Sequence, residues 1–205
     1  MRRIVVEIGT FMKCPVTSLM PIRLHEKPLE AAKIAEERFR RDMGCEEKKE
    51  IVAAVEIDGV IVELHGKPDC VTNARIYEYK NISRPDVSIW AIMEKMGQAA
   101  MYSYAFKRNG VDADAYAVFE VQGQRYFLKA SDILVKRVEK WIRDVVEKEV
   151  PFKHIKCDAN CRYYNICRLK DRITERIVDD VLLKYSLEAA QKANLPVRPL
   201  RYVIV

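Results

Sequence analysis

The chain of 205 residues contains no apolar run approaching the roughly 20 residues that a helix needs to cross a bilayer. A membrane partner is therefore not expected. The first residues, MRRIVVEIGTFMKC, hold an apolar stretch too short for a secretory signal, so the expected location is the cytoplasm. Neither an internal repeat nor a low-complexity segment occurs, and residues 1–205 are expected to form a single domain. Asn and Gln are scarce beside Lys, Arg and Glu, a bias shared with thermophilic proteins. A strong excess of one charge is missing too. The net charge is +6, which permits a polyanionic partner without demanding one.

The composition that remains, 49% hydrophobic and 32% charged, is that of a soluble chain able to bury a core. Apolar periodicity gives the order of elements. RIVVEI reads as a short strand. From Pro28 to Gly44, Ala32, Ala35, Phe39 and Met43 fall on one helical face, with Pro at the start and Gly at the end. IVAAVEIDGVIVELHGKPDCV breaks at Asp58-Gly59, a two-residue hairpin signal, and RIYEYKNI follows as a third strand. A long helix is expected over 85–108, a second hairpin over DAYAVFEVQGQRYFLKA, and then a helix capped by Ser131 that lines up Leu134, Val138, Trp141 and Val145. After a Cys- and Tyr-rich loop, a helix with Ile173, Ile177, Val181 and Tyr185 on one side leads to a closing strand, PLRYVIV. The fold class is α/β, a central mixed sheet flanked by helices.

One strand carries acid, tyrosine and base in the order Glu78, Tyr79, Lys80. If Asn73-Ala74 form the tight turn before it, Thr72 faces Arg75 and Asp69 faces Glu78, with Cβ atoms about 5 Å apart. Two like charges so placed repel, and something must compensate. Alternation puts Glu78 and Lys80 on that face and sends Tyr77 and Tyr79 to the other. Two carboxylates and an ammonium suit a hard divalent cation such as Mg²⁺ or Mn²⁺. A plain surface hairpin with a cross-strand Glu and Lys remains the alternative on these residues alone. On the long helix, Gln98 and Tyr102 are four apart and share a face, as substrate-binding groups or as a hydrogen-bonded pair at the edge of the core.

GKPD, EYK and QAAMY, in strand, strand, helix order, resemble the RecB-like nucleases of the PD-(D/E)XK superfamily. The resemblance implies catalytic roles for Asp69, Glu78 and Lys80. It also implies metal ligation by Asp69, Glu78 and the Tyr79 backbone carbonyl, with a histidine ahead of the sheet as a further ligand. His25 in RLHEKPLEAA takes that place in preference to His65, which stands four residues before Asp69.

Six cysteines, Cys14, Cys45, Cys70, Cys157, Cys161 and Cys167, are many for a cytosolic chain, where disulfides are normally reduced and clustered thiols more often bind metal. Cys157, Cys161 and Cys167 lie within eleven residues and need a fourth ligand, for which Cys14 is the candidate. Cysteine-only ligation allows zinc or an iron-sulfur cluster. One cysteine before the nuclease motifs and three after them is similar to the iron-sulfur nucleases, among them the CRISPR-associated exonucleases of the Cas-four type. That resemblance implies an iron-sulfur cluster, [4Fe-4S] favoured over [2Fe-2S], stapling the N- and C-terminal segments of the domain. It implies a metal-dependent DNA exonuclease that prefers single-stranded DNA, with 5′ to 3′ among the directions open to it, and that processes DNA before spacer integration alongside CRISPR integrase proteins. A stand-alone RecB-like repair nuclease and a non-catalytic DNA-binding iron-sulfur subunit are the alternatives.

Overall fold

In the computed structural model, residues 2–12, 30–45, 47–48, 50–73, 75–147 and 179–198 are described. Among them the order is β1 (Arg2–Glu7), α1 (Ile8–Phe11), α2 (Glu30–Met43), β2 (Ile51–Ile57), β3 (Val60–Gly66), β4 (Cys70–Thr72), β5 (Arg75–Ile82), α3 (Ile89–Arg108), β6 (Asp114–Val121), β7 (Gln124–Lys129), α4 (Asp132–Glu147) and α5 (Asp180–Lys192). The expected closing strand and the positions of Ile173 and Ile177 fall outside the described residues; ahead of that strand an isolated parallel bridge joins Val87 and Val197. No helix among the described residues is long and apolar enough to cross a membrane.

The expected single central sheet is in fact two mixed sheets, ordered β1-β3-β2 and β4-β5-β6-β7. In the first, β3 runs parallel to β1 and antiparallel to β2. The hairpin between β2 and β3 turns at Asp58 and Gly59, whose φ values of 49° and 74° are the left-handed pair that such a turn requires. The second sheet joins β5 to β6 in parallel, with antiparallel hairpins on either side. Between β3 and β4 stand Lys67, Pro68 and Asp69, outside both ladders. Pro68 has no N–H to donate and cannot continue a strand's pairing, so the sheet ends there and the chain starts another.

Helix α3 spans the gap between the sheets, packing on β2 of one and on β5 and β6 of the other, with α4 and α5 against its remaining sides. This explains why its apolar residues run all round it, unlike those of the amphipathic helices α2 and α4. The Ser88 side chain caps it by accepting from the Ala91 N–H, and Ser131 does the same for α4 through Leu134. Phe11, Leu64, Ile92, Met96, Phe119 and Trp141 are fully buried in the core that results. On the opposite face of the second sheet lies a smaller cluster of Ala35, Phe39, Cys70, Tyr77, Tyr79 and Val118, covered by α2. Within it the rings of Phe39 and Tyr79 stack at 4.4 Å.

Candidate active site

The hairpin of β4 and β5 has the expected register, with Thr72 opposite Arg75 and Cys70 opposite Tyr77. Asp69 immediately precedes Cys70 and Glu78 immediately follows Tyr77, so the two acids lie just beyond the last paired residues. Tyr77 and Tyr79 point into the small cluster under α2, which leaves Glu78 on the face turned towards α3. Strand alternation therefore separates the packing residues from the acids, and the stacked ring of Tyr79 holds the strand between them in place.

Asp69 is fixed from three directions. Its Oδ2 accepts the Tyr79 backbone N–H at 2.9 Å, its own carbonyl oxygen accepts from Arg40 at 2.6 Å, and Lys48 Nζ stands 3.8 Å from Oδ1. Arg40 comes from α2, and Lys48, from the segment after it, also pairs with Glu36 of that helix. Helix α2 thus does two things, covering the tyrosines and anchoring the first acid.

The compensating charge for the acid pair is Lys95, a residue the motifs did not single out. Its Nζ donates to Glu78 Oε2 at 2.7 Å and lies 3.4 Å from Asp69 Oδ2. The Lys95 side chain is only 13% exposed and Glu78 is buried. Burial and the neighbouring Asp69 charge push the Glu78 carboxyl up to about 7, against the pull of Lys95. For Lys95 burial acts against the charge, but Glu78 and Asp69 outweigh it and hold the ammonium well above its ordinary value. The two carboxylates share the Lys95 ammonium, and Lys48 approaches Asp69 from the other side. A signal for Lys95 existed in the sequence: it precedes Gln98 by three and Tyr102 by seven, which puts all three on one helical face.

Lys80 follows on the same face of β5, 35% exposed, with Nζ 3.9 Å from Glu94 Oε2. Gln98 and Tyr102 are both turned inward, each 2% exposed. The Gln98 amide donates to the Gly9 carbonyl at 2.8 Å, tying α3 to the N-terminal segment, and its Oε1 has no hydrogen-bond partner among the described residues. Tyr102 lies over Gly66, where an added Cβ would come within 2.7 Å of the phenol oxygen. Burial, then the charges of Glu78 and Asp69, raise the Tyr102 pKa well above its ordinary value, with a backbone hydrogen bond to Lys67 partly offsetting them. His65 in β3 is engaged by Glu63 at 3.1 Å and Glu50 at 3.7 Å.

His25, Cys14, Cys157, Cys161 and Cys167 lie outside the described residues. Cys45 and Cys70 are joined as a disulfide with Cα atoms 5.3 Å apart, a correction to the expectation that the thiols of this chain stay reduced. The pairing arises because Cys45 ends the α2 segment just where Cys70 starts β4, and both pack in the cluster beneath the sheet. No group of three or more His, Cys, Asp and Glu in a metal-holding arrangement occurs among the described residues.

The donor set of Asp69 and Glu78 nonetheless fits a divalent cation. Both carboxylates already converge on one positive charge, and they are oxygen donors in a largely buried site.

Comparison with known proteins gives a family and a fold likeness. The family model described as the PD-(D/E)XK nuclease superfamily matches residues 18–168. Among solved structures, the crystal structure of SSO0001 is similar in fold, with a TM-score of 0.51 and 13% identity over 81% of this chain and 87% of that one. A search of curated proteins finds no match.

Proposed function

From the premise that this chain belongs to the PD-(D/E)XK nuclease superfamily, we propose that it is a divalent-metal-dependent DNA exonuclease, that it prefers single-stranded DNA, and that it processes DNA in CRISPR adaptation before spacer integration. The observation that carries the nuclease reading is the convergence of Asp69 and Glu78 on one cation in the strand, strand, helix setting of the superfamily's motifs. The DNA substrate, the exonuclease mode and the CRISPR partners rest on the motif resemblance and on the basic net charge of +6.

Asp69 and Glu78, with the Tyr79 carbonyl and His25, are the groups that would hold Mg²⁺ or Mn²⁺. Such an ion, when bound, polarises a phosphate oxygen and lowers the pKa of a water. Lys80, half-exposed on the same face, orients the attacking water or stabilises the charge that builds on the phosphate. Tyr102 keeps the Gly66–Lys67 backbone in place beside Asp69. Gln98 and Tyr102, both buried, would position the DNA strand only through the main chain they hold, Gly9 for Gln98 and Gly66–Lys67 for Tyr102. Arg40 and the Tyr79 amide hold the Asp69 main chain and carboxylate in the orientation that the chemistry needs.

A second cofactor belongs to the same proposal. With Cys45 bonded to Cys70, the cysteines left in the sequence are Cys14, Cys157, Cys161 and Cys167, the set proposed to hold an iron-sulfur cluster.

The test is cleavage of end-labelled single- and double-stranded DNA with and without Mn²⁺. Wild-type protein should degrade DNA from an end, fall silent in EDTA and recover with Mn²⁺ or Mg²⁺. Asp69→Ala, Glu78→Ala and Lys80→Ala should each lose at least about a hundredfold in rate. Cleavage that persists in all three would remove the site, and a wild type that binds DNA without cutting it would favour the non-catalytic alternative.

A further inference from the structure

The buried lysine on α3 has a place in this site beyond neutralising charge. Lys95 Nζ contacts one oxygen of each acid, Glu78 Oε2 at 2.7 Å and Asp69 Oδ2 at 3.4 Å. Those are the two oxygens that converge on a shared point. A magnesium-like ion needs its oxygens at about 2.0–2.1 Å and tolerates no ammonium inside that shell. Two cations cannot hold one position, and in a buried setting their repulsion is poorly screened. The lysine stem, by contrast, has four rotatable bonds and is anchored on the helix only at its base.

We propose that Lys95 is a tethered counter-cation for the Asp69–Glu78 pair: its ammonium holds the ground that a divalent ion bridging these carboxylates requires, and metal entry must move it aside. This rests on the reading of Asp69 and Glu78 as metal ligands. Lys95 is then a positioning residue that sets metal affinity by competition, while Lys80 of β5, 3.9 Å from Glu94 of α3, serves the reaction. Competition also gives the lysine a purpose that a simple ion pair lacks. It keeps two like charges together until the ion arrives, so the ligands are oriented in advance.

Competition between two ligands for one site is a coupling, and couplings of this kind commonly amount to a factor of 5–150. Mn²⁺ binding to the full-length protein, followed by the electron paramagnetic resonance signal of free Mn²⁺, should therefore tighten on the order of tenfold in Lys95→Met. Lys95→Arg, which keeps the charge, should not tighten it. Lys95→Gln provides the neutral variant should the methionine fail to fold. Melting supplies a second readout. In EDTA, Lys95→Met should melt below wild type, and at saturating Mn²⁺ that gap should close, since the ion takes over the lysine's work. A lysine with only a structural role would leave the gap equal in both conditions and the Mn²⁺ affinity unchanged or weaker; either result overturns the proposal. If neither wild type nor Lys95→Met shows Mn²⁺ binding that Asp69→Asn abolishes, the metal reading itself fails and takes this inference with it.

Discussion

The backbone amide of Tyr79 donates to Asp69 Oδ2 at 2.9 Å. One strand residue thereby does two opposite things: its side chain stacks on Phe39 beneath the sheet, and its main chain orients the first acid above it. The acid is aimed by main chain that the hairpin register fixes, so its direction does not depend on a mobile side-chain partner. Asp69→Asn keeps an acceptor for that amide and should leave the fold intact while losing cleavage. A large fall in melting temperature for Asp69→Asn would show that the charge, and not the hydrogen bond, holds the hairpin.

The pH dependence of stability follows from Glu78, whose carboxyl stands at about 7 against an ordinary 4.5. A carboxyl raised in the folded state binds its proton more tightly there than in the unfolded chain. Folding is weakened above both values and the loss is relieved as pH falls through about 7 toward 4.5. In EDTA, lowering the pH from 8 to 6 should stabilise the wild type by about 1 kcal/mol from this group, or roughly 3 °C in melting temperature. Glu78→Gln should flatten the slope. Asp69→Asn should reduce it, because Asp69 is the second cause of the shift. A wild-type melting temperature that climbs with pH across this window, beyond any climb in Glu78→Gln, contradicts the assignment.

Gly66 closes β3 directly beneath Tyr102, and a Cβ there would meet the phenol oxygen at 2.7 Å and Cε1 at 2.8 Å. The ring is fully buried against the α3 side of the core and has nowhere to retreat. Gly66→Ala should cost about 1–3 kcal/mol, the range for overpacking, and should lower activity because Lys67 to Asp69 follow immediately. Gly9→Ala is the control, since no atom lies within 4 Å of its added Cβ and its φ is not left-handed. Equal melting temperatures for the two variants would mean that Tyr102 moves freely, and the packing account of Gly66 would fall.

Much of this arrangement was legible in the chain. Alternation in RIYEYKNI separated Glu78 and Lys80 from the two tyrosines, and the turn expected after Thr72 gave the register that pairs Thr72 with Arg75 and Cys70 with Tyr77. Asp58-Gly59 and Ser131 marked turn and cap through local chemistry, which is what a sequence records best. Contacts between distant segments were not legible. Lys95 shares a helical face with Gln98 and Tyr102 by spacing, but its acid partners emerge only when β5 is laid against α3. Cys45 and Cys70 stand 25 residues apart with nothing local to pair them. The division into two sheets turns on one residue, Pro68, whose missing N–H is visible in the sequence but whose effect depends on where β3 stops. Gln98 and Tyr102 were placed on one face of the helix, yet periodicity could not say that this face is buried.

The two kinds of cysteine in this chain should separate cleanly under substitution. The Cys45–Cys70 bond closes a separation of 25 residues, for which the loop-entropy account gives roughly 3 kcal/mol of stability. Cys70 is fully buried and adjoins Asp69, so the bond also ties the α2 segment that carries Arg40 to the strand that carries the first acid. Cys45→Ser and Cys70→Ser should each lower the melting temperature by several degrees, with similar losses, because each removes the same cross-link. Neither should change the iron content of protein prepared without oxygen, which the proposed cluster predicts to be brown. Cys14→Ala should act the other way round, losing iron along with stability, since metal bound to the folded state is itself folding free energy. Iron retained in Cys14→Ala but lost in Cys45→Ser or Cys70→Ser would exchange the two roles. Stoichiometric zinc without iron after anaerobic preparation would replace the cluster with a structural zinc site on the same four thiols.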